Sequence, residues 1–175
     1  MAKQRIAVVT GGMGGLGETI STKMADAGYR VVVTYSPSNT KYRSWLEEMK
    51  GRGYNFAAFP VDVVDYDDCA RKMHTIQTEV GPVDILVNNA GIQHVRPIPE
   101  FEPETFALML RIMVEAPFLL IRAALPGMYE RGFGRIVNIS SVHGLRASEF
   151  KSAYVTAKHA LEGLSKTTAL EGGAH

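Results

Sequence analysis

Residues 7–17 read AVVTGGMGGLG, a short apolar run that leads directly into a glycine-rich loop. Glycines let a backbone turn tightly and approach a ligand closely, and the N–H groups of a helix behind such a loop can bind a pyrophosphate. A flexible turn is the alternative interpretation. The position between a predicted strand and a predicted helix favours dinucleotide binding. The predicted contacts are Thr10, Gly11, Gly12, Met13, Gly15, Leu16 and Gly17.

Outward from this loop, apolar runs rich in Val and Ile alternate with segments of helical periodicity. The predicted strands are 5–10, 29–35, 55–61, 84–88 and 134–139. The predicted helices lie near 15–27, 41–53, 67–80, 103–131 and 152–170. Because the strands are apolar on both faces, we expect helices to cover both sides of the sheet. The pattern predicts a Rossmann-like α/β fold, a doubly wound parallel sheet.

The predicted helices have glycines where C-terminal caps are expected, at Gly28, Gly53, Gly81 and Gly132. The last predicted helix has no strand after it, which leaves strand 134–139 at a sheet edge. An apolar strand at an edge promotes aggregation, and complete proteins usually cover it. We therefore expect residues 1–175 to form a single dinucleotide-binding and catalytic domain, truncated after the helix that follows strand five.

Composition argues against several classes of protein. Nineteen Lys and Arg against eighteen Asp and Glu leave a net charge of +1, so neither nucleic acid nor an anionic membrane is expected as a partner. The single cysteine, Cys69, excludes an internal disulfide framework and a cysteine-based zinc cluster, and no metal site is predicted. The apolar run Ile6–Val9 is far shorter than a signal-peptide core, so a cytoplasmic location is expected.

The end of the second predicted strand bears on the choice of cofactor. An acidic residue there would bind the ribose hydroxyls of NAD and repel the 2′-phosphate of NADP. The sequence instead places Tyr35 and Ser36 at this point, followed by Lys41 and Arg43. Hydroxyls and two cations favour NADP(H). A solvated first turn of helix explains the cations equally well, so NAD(H) stays open.

Three residues near the C-terminus form the most informative group: Ser141, Tyr154 and Lys158. Tyr and Lys four residues apart lie on one helix face. A phenol with its ordinary pKa of about 10 is a poor acid or base near neutrality, and an adjacent ammonium favours the phenolate. Lys158 is thus placed to activate Tyr154, and Ser141 to hydrogen-bond a substrate oxygen. Taken alone, a Tyr-x-x-x-Lys pair is a common surface pattern.

Together these motifs resemble the short-chain dehydrogenases/reductases. They match in order and spacing through Thr10-Gly11-x-x-x-Gly15-x-Gly17, Asp62, Asn88-Asn89-Ala90-Gly91, Ser141 and Tyr154-x-x-x-Lys158. The resemblance implies that Asp62 contacts the adenine and that Val63 belongs to the cofactor site. It also implies that Asn89, Ala90 and Gly91 line the cofactor cleft and that Lys158 and Tyr154 contact the nicotinamide side. The chain stops before the family's end, so the last strands and the substrate lid are expected to be missing. The resemblance also implies a homo-oligomer that pairs through helices 103–131 and 152–170.

One position departs from the family pattern. Met113 stands where the family usually has a catalytic asparagine, and a thioether cannot replace the hydrogen bonds of an amide. Pro117, four residues later, has no N–H to give the Met113 carbonyl. We predict that this carbonyl takes part in a proton relay through water. A proline-kinked helix with a buried Met is the alternative.

The two parts of the chain resemble different subfamilies. Residues 92–175 are similar to the 3-hydroxybutyrate dehydrogenases, through 91–95, 141–148 and 150–154, which implies that Gln93, His143 and Lys151 bind a substrate carboxylate beside Ser141 and Tyr154. Residues 1–91 are similar to the NADPH-dependent acetoacetyl-CoA reductases. A natural mosaic, a recombinant and a misassembled reading frame all account for this pattern.

The favoured function is hydride transfer between a nicotinamide cofactor and a C4 3-hydroxy/3-oxo acid, the 3-hydroxybutyrate/acetoacetate pair. The enzymatic alternative is reduction of the CoA thioester of acetoacetate, which has no free carboxylate. A third function is dinucleotide binding by a fragment without turnover.

Overall fold

Five parallel strands form one sheet in the computed structural model, which describes residues 4–175. The strands are β1 Ile6–Val9, β2 Arg30–Tyr35, β3 Ala57–Pro60, β4 Val83–Asn88 and β5 Arg135–Asn138. The helices are α1 Leu16–Asp26, α2 Tyr42–Gly51, α3 Tyr66–Glu79, α4 Pro103–Leu110, α5 Ala116–Glu130 and α6 Ser152–Gly172. In the strand order β3-β2-β1-β4-β5, β2 and β3 are added on one side of β1 and β4 and β5 on the other. The predicted doubly wound sheet is therefore confirmed.

The core lies on both faces of the sheet because successive side chains of a strand point to opposite sides. Val8 and Val32 pack with Met73 and Ile76 of α3 and with residues of α5. Val9 and Val33 face the other way and pack with Met49 of α2 and with residues of α1. This double burial explains why the central strands are apolar throughout.

The predicted glycine caps are confirmed by their backbone conformation. Gly28, Gly53, Gly81 and Gly132 all have positive φ, between 61° and 132°, which glycine adopts without steric cost. The predicted edge position of β5 is also confirmed, since β5 pairs only with β4 within residues 4–175. Its side chain Val137 is 45% exposed.

The predicted helix 103–131 is not uniformly α-helical, which corrects the sequence prediction. A π-helical turn, Arg111–Glu115, separates α4 from α5, and the N–H of Ala116 donates to the carbonyl of Arg111, five residues back. Pro117 follows directly and lacks the N–H that an α-helix needs at this point. Insertions of this kind occur frequently at functional sites. None of the helices described over residues 4–175 is both long and apolar enough to cross a membrane.

Candidate active site

The predicted site residues gather at one edge of the sheet. Because the strands are parallel, the loops that follow β1, β4 and β5 all leave the sheet at its C-terminal edge. These loops carry the glycine-rich segment, Asn89-Ala90-Gly91 and Ser141. Helix α6 carries Tyr154 and Lys158, and the Lys158 ammonium reaches this edge, where it donates to the carbonyl of Ile139. The fold thus brings together residues that are far apart in the chain.

Thr10 joins the two loops predicted to contact the cofactor. Its hydroxyl accepts the N–H of Asn89 at 2.9 Å and that of Ala90 at 3.0 Å. In return the Asn89 side-chain amide donates to the carbonyls of Thr10 at 3.0 Å and Gly11 at 3.2 Å. The two loops predicted to line the cofactor cleft are therefore held as one unit.

The start of α1 has the open shape that a pyrophosphate requires. Gly11 and Gly15 have φ of 60° and 53°, and no side chain caps the helix. A Cβ built on Gly14 or Gly15 would meet nothing within 4 Å. The first N–H groups of α1 are therefore free of side-chain partners and can bind an anion. The residues present fit a dinucleotide, with Gly12, Met13, Leu16 and Gly17 completing the loop.

We expect Gly17→Ala to destabilise this loop and Gly14→Ala to leave the fold intact. A Cβ on Gly17 would lie 2.1 Å from the carbonyl oxygen of Gly11 and 2.7 Å from the Asn89 amide nitrogen. Such overpacking lowers the free energy of unfolding by about 1–3 kcal/mol, whereas the open Gly14 position should change it by less than about 1 kcal/mol. Urea unfolding of both variants measures the difference; equal stabilities would contradict it.

The end of β2 and the start of α2 form the region where the sequence predicts the adenosine side of the cofactor site. Tyr35 and Tyr42 stack with ring centroids 4.5 Å apart, and the Ser36 hydroxyl lies 2.8 Å from that of Ser38. Arg43 donates from Nε to the Tyr42 hydroxyl at 2.9 Å, and its guanidinium is exposed. Both cations that could bind a 2′-phosphate, Arg43 and Lys41, therefore lie at this end of α2.

Asp62 and Val63 follow β3 at the same edge, where the adenine contact was predicted. The N–H of Asp62 donates to the Asp68 carboxylate at 2.8 Å, and the Asp62 carboxylate accepts the N–H of Val64 at 3.2 Å. These bonds fix the turn after β3 and the direction of the Asp62 side chain.

The predicted catalytic residues form a compact cluster with His143. The Ser141 hydroxyl lies 3.2 Å from Nδ1 of His143, and the His143 ring meets the Tyr154 ring edge to face at 5.6 Å between centroids. Lys158 Nζ lies 5.5 Å from the Tyr154 ring centroid and donates to the carbonyl of Ile139 at 2.6 Å. Burial lowers the pKa of the Lys158 ammonium.

The burial of Lys158 should appear in the pH dependence of stability. In the folded chain its pKa lies below the ordinary value of 10.5. In the pH interval between these two pKa values, the unfolded chain binds more protons than the folded chain. Stability therefore rises with pH across that interval. We expect the free energy of unfolding of the wild type, relative to Lys158→Met, to increase as the pH rises towards 10.5. Urea unfolding at several pH values tests this; a constant or decreasing difference would be inconsistent with it.

The predicted substrate residues lie on adjoining loops. His143 contacts Ser141 directly, whereas Lys151 precedes α6 and Gln93 lies exposed after β4. The N–H of Arg96 donates to the carbonyl of Phe150 at 2.9 Å, which ties the Gln93 loop to the Lys151 loop. Phe150 has φ of 63°. Among residues 4–175 it is the only non-glycine in the left-handed region, which costs energy and occurs often at functional sites.

Met113 lies inside the site and is fully buried. A Cβ on Gly91 would lie 3.4 Å from its sulfur, so the thioether packs against the loop that follows β4. Met113 lies within the π-helical turn Arg111–Glu115, and Pro117 lies two residues after that turn. The proton relay through the Met113 carbonyl stays a prediction.

Ser148 contacts the predicted catalytic cluster, although neither the motifs nor the family resemblance assigns it a role. Its hydroxyl lies 2.9 Å from Nε2 of His143. The two residues are five positions apart, a spacing that corresponds to neither helix nor strand periodicity. They meet in the segment after β5 that includes the short helical turn Val142–Gly144. In the part of the chain described, no group of three or more His, Cys, Asp or Glu side chains is arranged to hold a metal ion.

Comparison with known proteins identifies the family. The sequence model of the short chain dehydrogenases matches residues 5–175. An uncharacterized oxidoreductase of Bacillus subtilis, YxjF, is 43% identical over 99% of this chain and 67% of its own length. An acetoacetyl-CoA reductase of Allochromatium vinosum is 39% identical over 96% of this chain and 69% of its own length.

A D-beta-hydroxybutyrate dehydrogenase of Rhizobium meliloti is also 39% identical, over 95% of this chain and 65% of its own length. Both subfamily likenesses thus extend across residues 1–91 and 92–175. Among solved structures, a metagenomic short-chain oxidoreductase in complex with NADP superimposes with a TM-score of 0.88 at 32% identity, covering 95% of this chain and 76% of its own. The chain spans about two thirds of the length of the curated relatives that it matches.

The chain belongs to the short-chain dehydrogenase family. The predicted resemblance is thereby confirmed, as is the Rossmann-like fold. The predicted assignment to the NAD(P)-dependent oxidoreductases is confirmed at the level of this family.

Proposed function

We propose that this short-chain dehydrogenase catalyses reversible hydride transfer between NADP(H) and the 3-position of a C4 3-hydroxy/3-oxo acid. The observation that carries the proposal is the cluster of Ser141, His143, Tyr154 and Lys158. Lys151 directly precedes α6, the helix that carries Tyr154 and Lys158, and its ammonium could pair with a free carboxylate. The bound nicotinamide supplies or accepts the hydride.

The side chains have distinct tasks in the reducing direction. Ser141 donates a hydrogen bond to the ketone oxygen, which orients the ketone and stabilises the negative charge that develops there. Tyr154 then delivers the proton to this oxygen. The Lys158 ammonium, held by the Ile139 carbonyl, stabilises the tyrosinate that remains. Lys158 would also bind the nicotinamide ribose.

The free acid is favoured over the thioester by charge. A carboxylate that enters the site gives up hydrogen bonds to water and needs protein donors in exchange. The Lys151 ammonium and the Gln93 amide can supply them because their loops are bonded to each other through Arg96 and Phe150. A CoA thioester has no free carboxylate and needs neither donor.

The acetoacetyl-CoA reductase activity is the second candidate. A relative with that name is 39% identical to this chain, as is the D-beta-hydroxybutyrate dehydrogenase, so the identities favour neither substrate. Dinucleotide binding by a chain without turnover is the third candidate function.

Rates of NADPH oxidation with acetoacetate and with acetoacetyl-CoA distinguish the three candidate functions. We expect acetoacetate to be reduced faster. A faster thioester reaction favours the second candidate, and no reaction with either favours the third.

We expect NADPH to bind more tightly than NADH, because Lys41 and Arg43 lie at the start of α2 and no carboxylate ends β2. Replacing either cation by Ala should raise the Kd for NADPH about three- to fivefold and leave that for NADH unchanged. Energy transfer from Trp45, the single tryptophan, to the bound nicotinamide measures both affinities. Lys50→Ala, in the last turn of α2, is the matched control. Equal affinities of the wild type for the two nucleotides would contradict this expectation.

A homo-oligomer in the cytoplasm completes the proposal. Leu108 of α4 and Phe118 of α5 are 40% and 50% exposed, on helices that the family resemblance places at a subunit interface. Large exposed apolar side chains on adjoining helical segments favour association.

A further inference from the structure

His143 lies between two hydroxyl groups. Nδ1 is 3.2 Å from the Ser141 hydroxyl, and Nε2 is 2.9 Å from the Ser148 hydroxyl. The Ser141 hydroxyl also accepts the backbone N–H of His143 at 3.2 Å. Both ring nitrogens therefore have partners, and the ring is fixed relative to the predicted catalytic serine.

The state of Nδ1 decides what Ser141 can donate. A serine hydroxyl has one proton and accepts two hydrogen bonds. If Nδ1 is protonated, the Ser141 oxygen accepts from Nδ1–H and from the His143 backbone, and its own proton is left for a substrate oxygen. If Nδ1 is unprotonated, Ser141 donates to the imidazole and no proton remains for the substrate.

The proposed role of Ser141 requires the proton on Nδ1. The separations of 3.2 Å at Nδ1 and 2.9 Å at Nε2 both lie within the usual range of hydrogen bonds and are compatible with either tautomer. Only with the proton on Nδ1 does the Ser141 hydroxyl keep its own proton for a ketone oxygen. A neutral imidazole carries one proton, so Nε2 must then accept, and Ser148 is its donor.

We propose that Ser148 is a positioning residue whose hydroxyl donates to Nε2 of His143, holds the neutral ring in its Nδ1–H tautomer and so leaves the Ser141 proton for the substrate oxygen. The catalytic consequence rests on the proposed function, since it requires Ser141 to donate to a ketone.

The tautomer can be measured without any ligand. In a ¹⁵N-labelled sample at about pH 8, above the ordinary titration range of imidazole, the ring ¹⁵N shifts distinguish Nδ1–H from Nε2–H. His143→Gln identifies the signals of His143 among the five histidines. We expect mainly Nδ1–H in the wild type and in Ser148→Thr, and a smaller Nδ1–H population in Ser148→Ala. Thr78→Ala removes an exposed hydroxyl on α3 and should change nothing.

A wild type with mainly Nε2–H, or a tautomer unaffected by Ser148→Ala, overturns the proposal.

With acetoacetate and NADPH, Ser148→Ala should lower kcat/KM about three- to tenfold, the effect of one lost hydrogen bond, and Ser148→Thr should retain the wild-type value. The NADPH Kd should not change. If the tautomer shifts while kcat/KM stays at the wild-type value, the positioning role is wrong. If no variant turns over, the proposed function fails while the NMR result still decides the role of Ser148.

Discussion

Tyr154→Phe is expected to lower kcat about 10²- to 10⁴-fold, the usual contribution of a general acid, while the Kd for NADPH stays nearly unchanged. The substitution removes one hydroxyl and retains the ring that packs edge to face against His143. Steady-state reduction of acetoacetate gives kcat, and energy transfer from Trp45 to NADPH gives the Kd.

Tyr54→Phe is the matched control for this experiment. The Tyr54 hydroxyl donates to Asp26 at 3.1 Å. Tyr54 precedes β3 and therefore lies at the opposite edge of the sheet from the predicted site. The same chemical change there should leave kcat unaffected. Substantial turnover by Tyr154→Phe would show that another group delivers the proton.

Lys151→Ala is expected to change substrate selectivity about tenfold to a hundredfold, because a charge-assisted hydrogen bond contributes about 1.5–3 kcal/mol. Loss of the ammonium should raise KM for acetoacetate far more than KM for acetoacetyl-CoA, since only the acid carries a carboxylate next to its ketone. The ratio of the two kcat/KM values, measured for the wild type and the variant, gives the effect directly.

Lys166→Ala removes the same charge from an exposed position further along α6 and should leave the ratio unchanged. An unchanged ratio in Lys151→Ala would mean that this lysine does not bind the carboxylate. A wild type that prefers the thioester would favour the activity named for the Allochromatium vinosum relative.

Much of the site follows from local sequence. The Tyr154 and Lys158 pair depends only on the helical repeat, which places residues four apart on one face. The glycine loop likewise depends on residues that are neighbours in the chain, between β1 and α1. Both features could be predicted because the geometry of a single strand, loop or helix is local.

The change from α4 to α5 shows where local reasoning fails. Pro117 indicates a disturbed helix, yet it does not determine whether the helix kinks or takes up a π-helical turn. The structure has the π-helical turn Arg111–Glu115, with Met113 buried against the loop of Gly91. This choice depends on packing between segments that the periodicity of one helix does not describe.

The amino-acid sequence alone determined the order of strands and helices and the parallel sheet, because side-chain periodicity and glycine positions encode them locally. The catalytic group of Ser141, Tyr154 and Lys158 is a prediction that the family resemblance implies. Only the tertiary structure decided which groups the residues of the predicted site contact. Thr10 binds Asn89 across 79 positions, and His143 is held between Ser141 and Ser148 by a short turn after β5. Such contacts arise from the packing of loops at the sheet edge, and no local repeat in the chain specifies them.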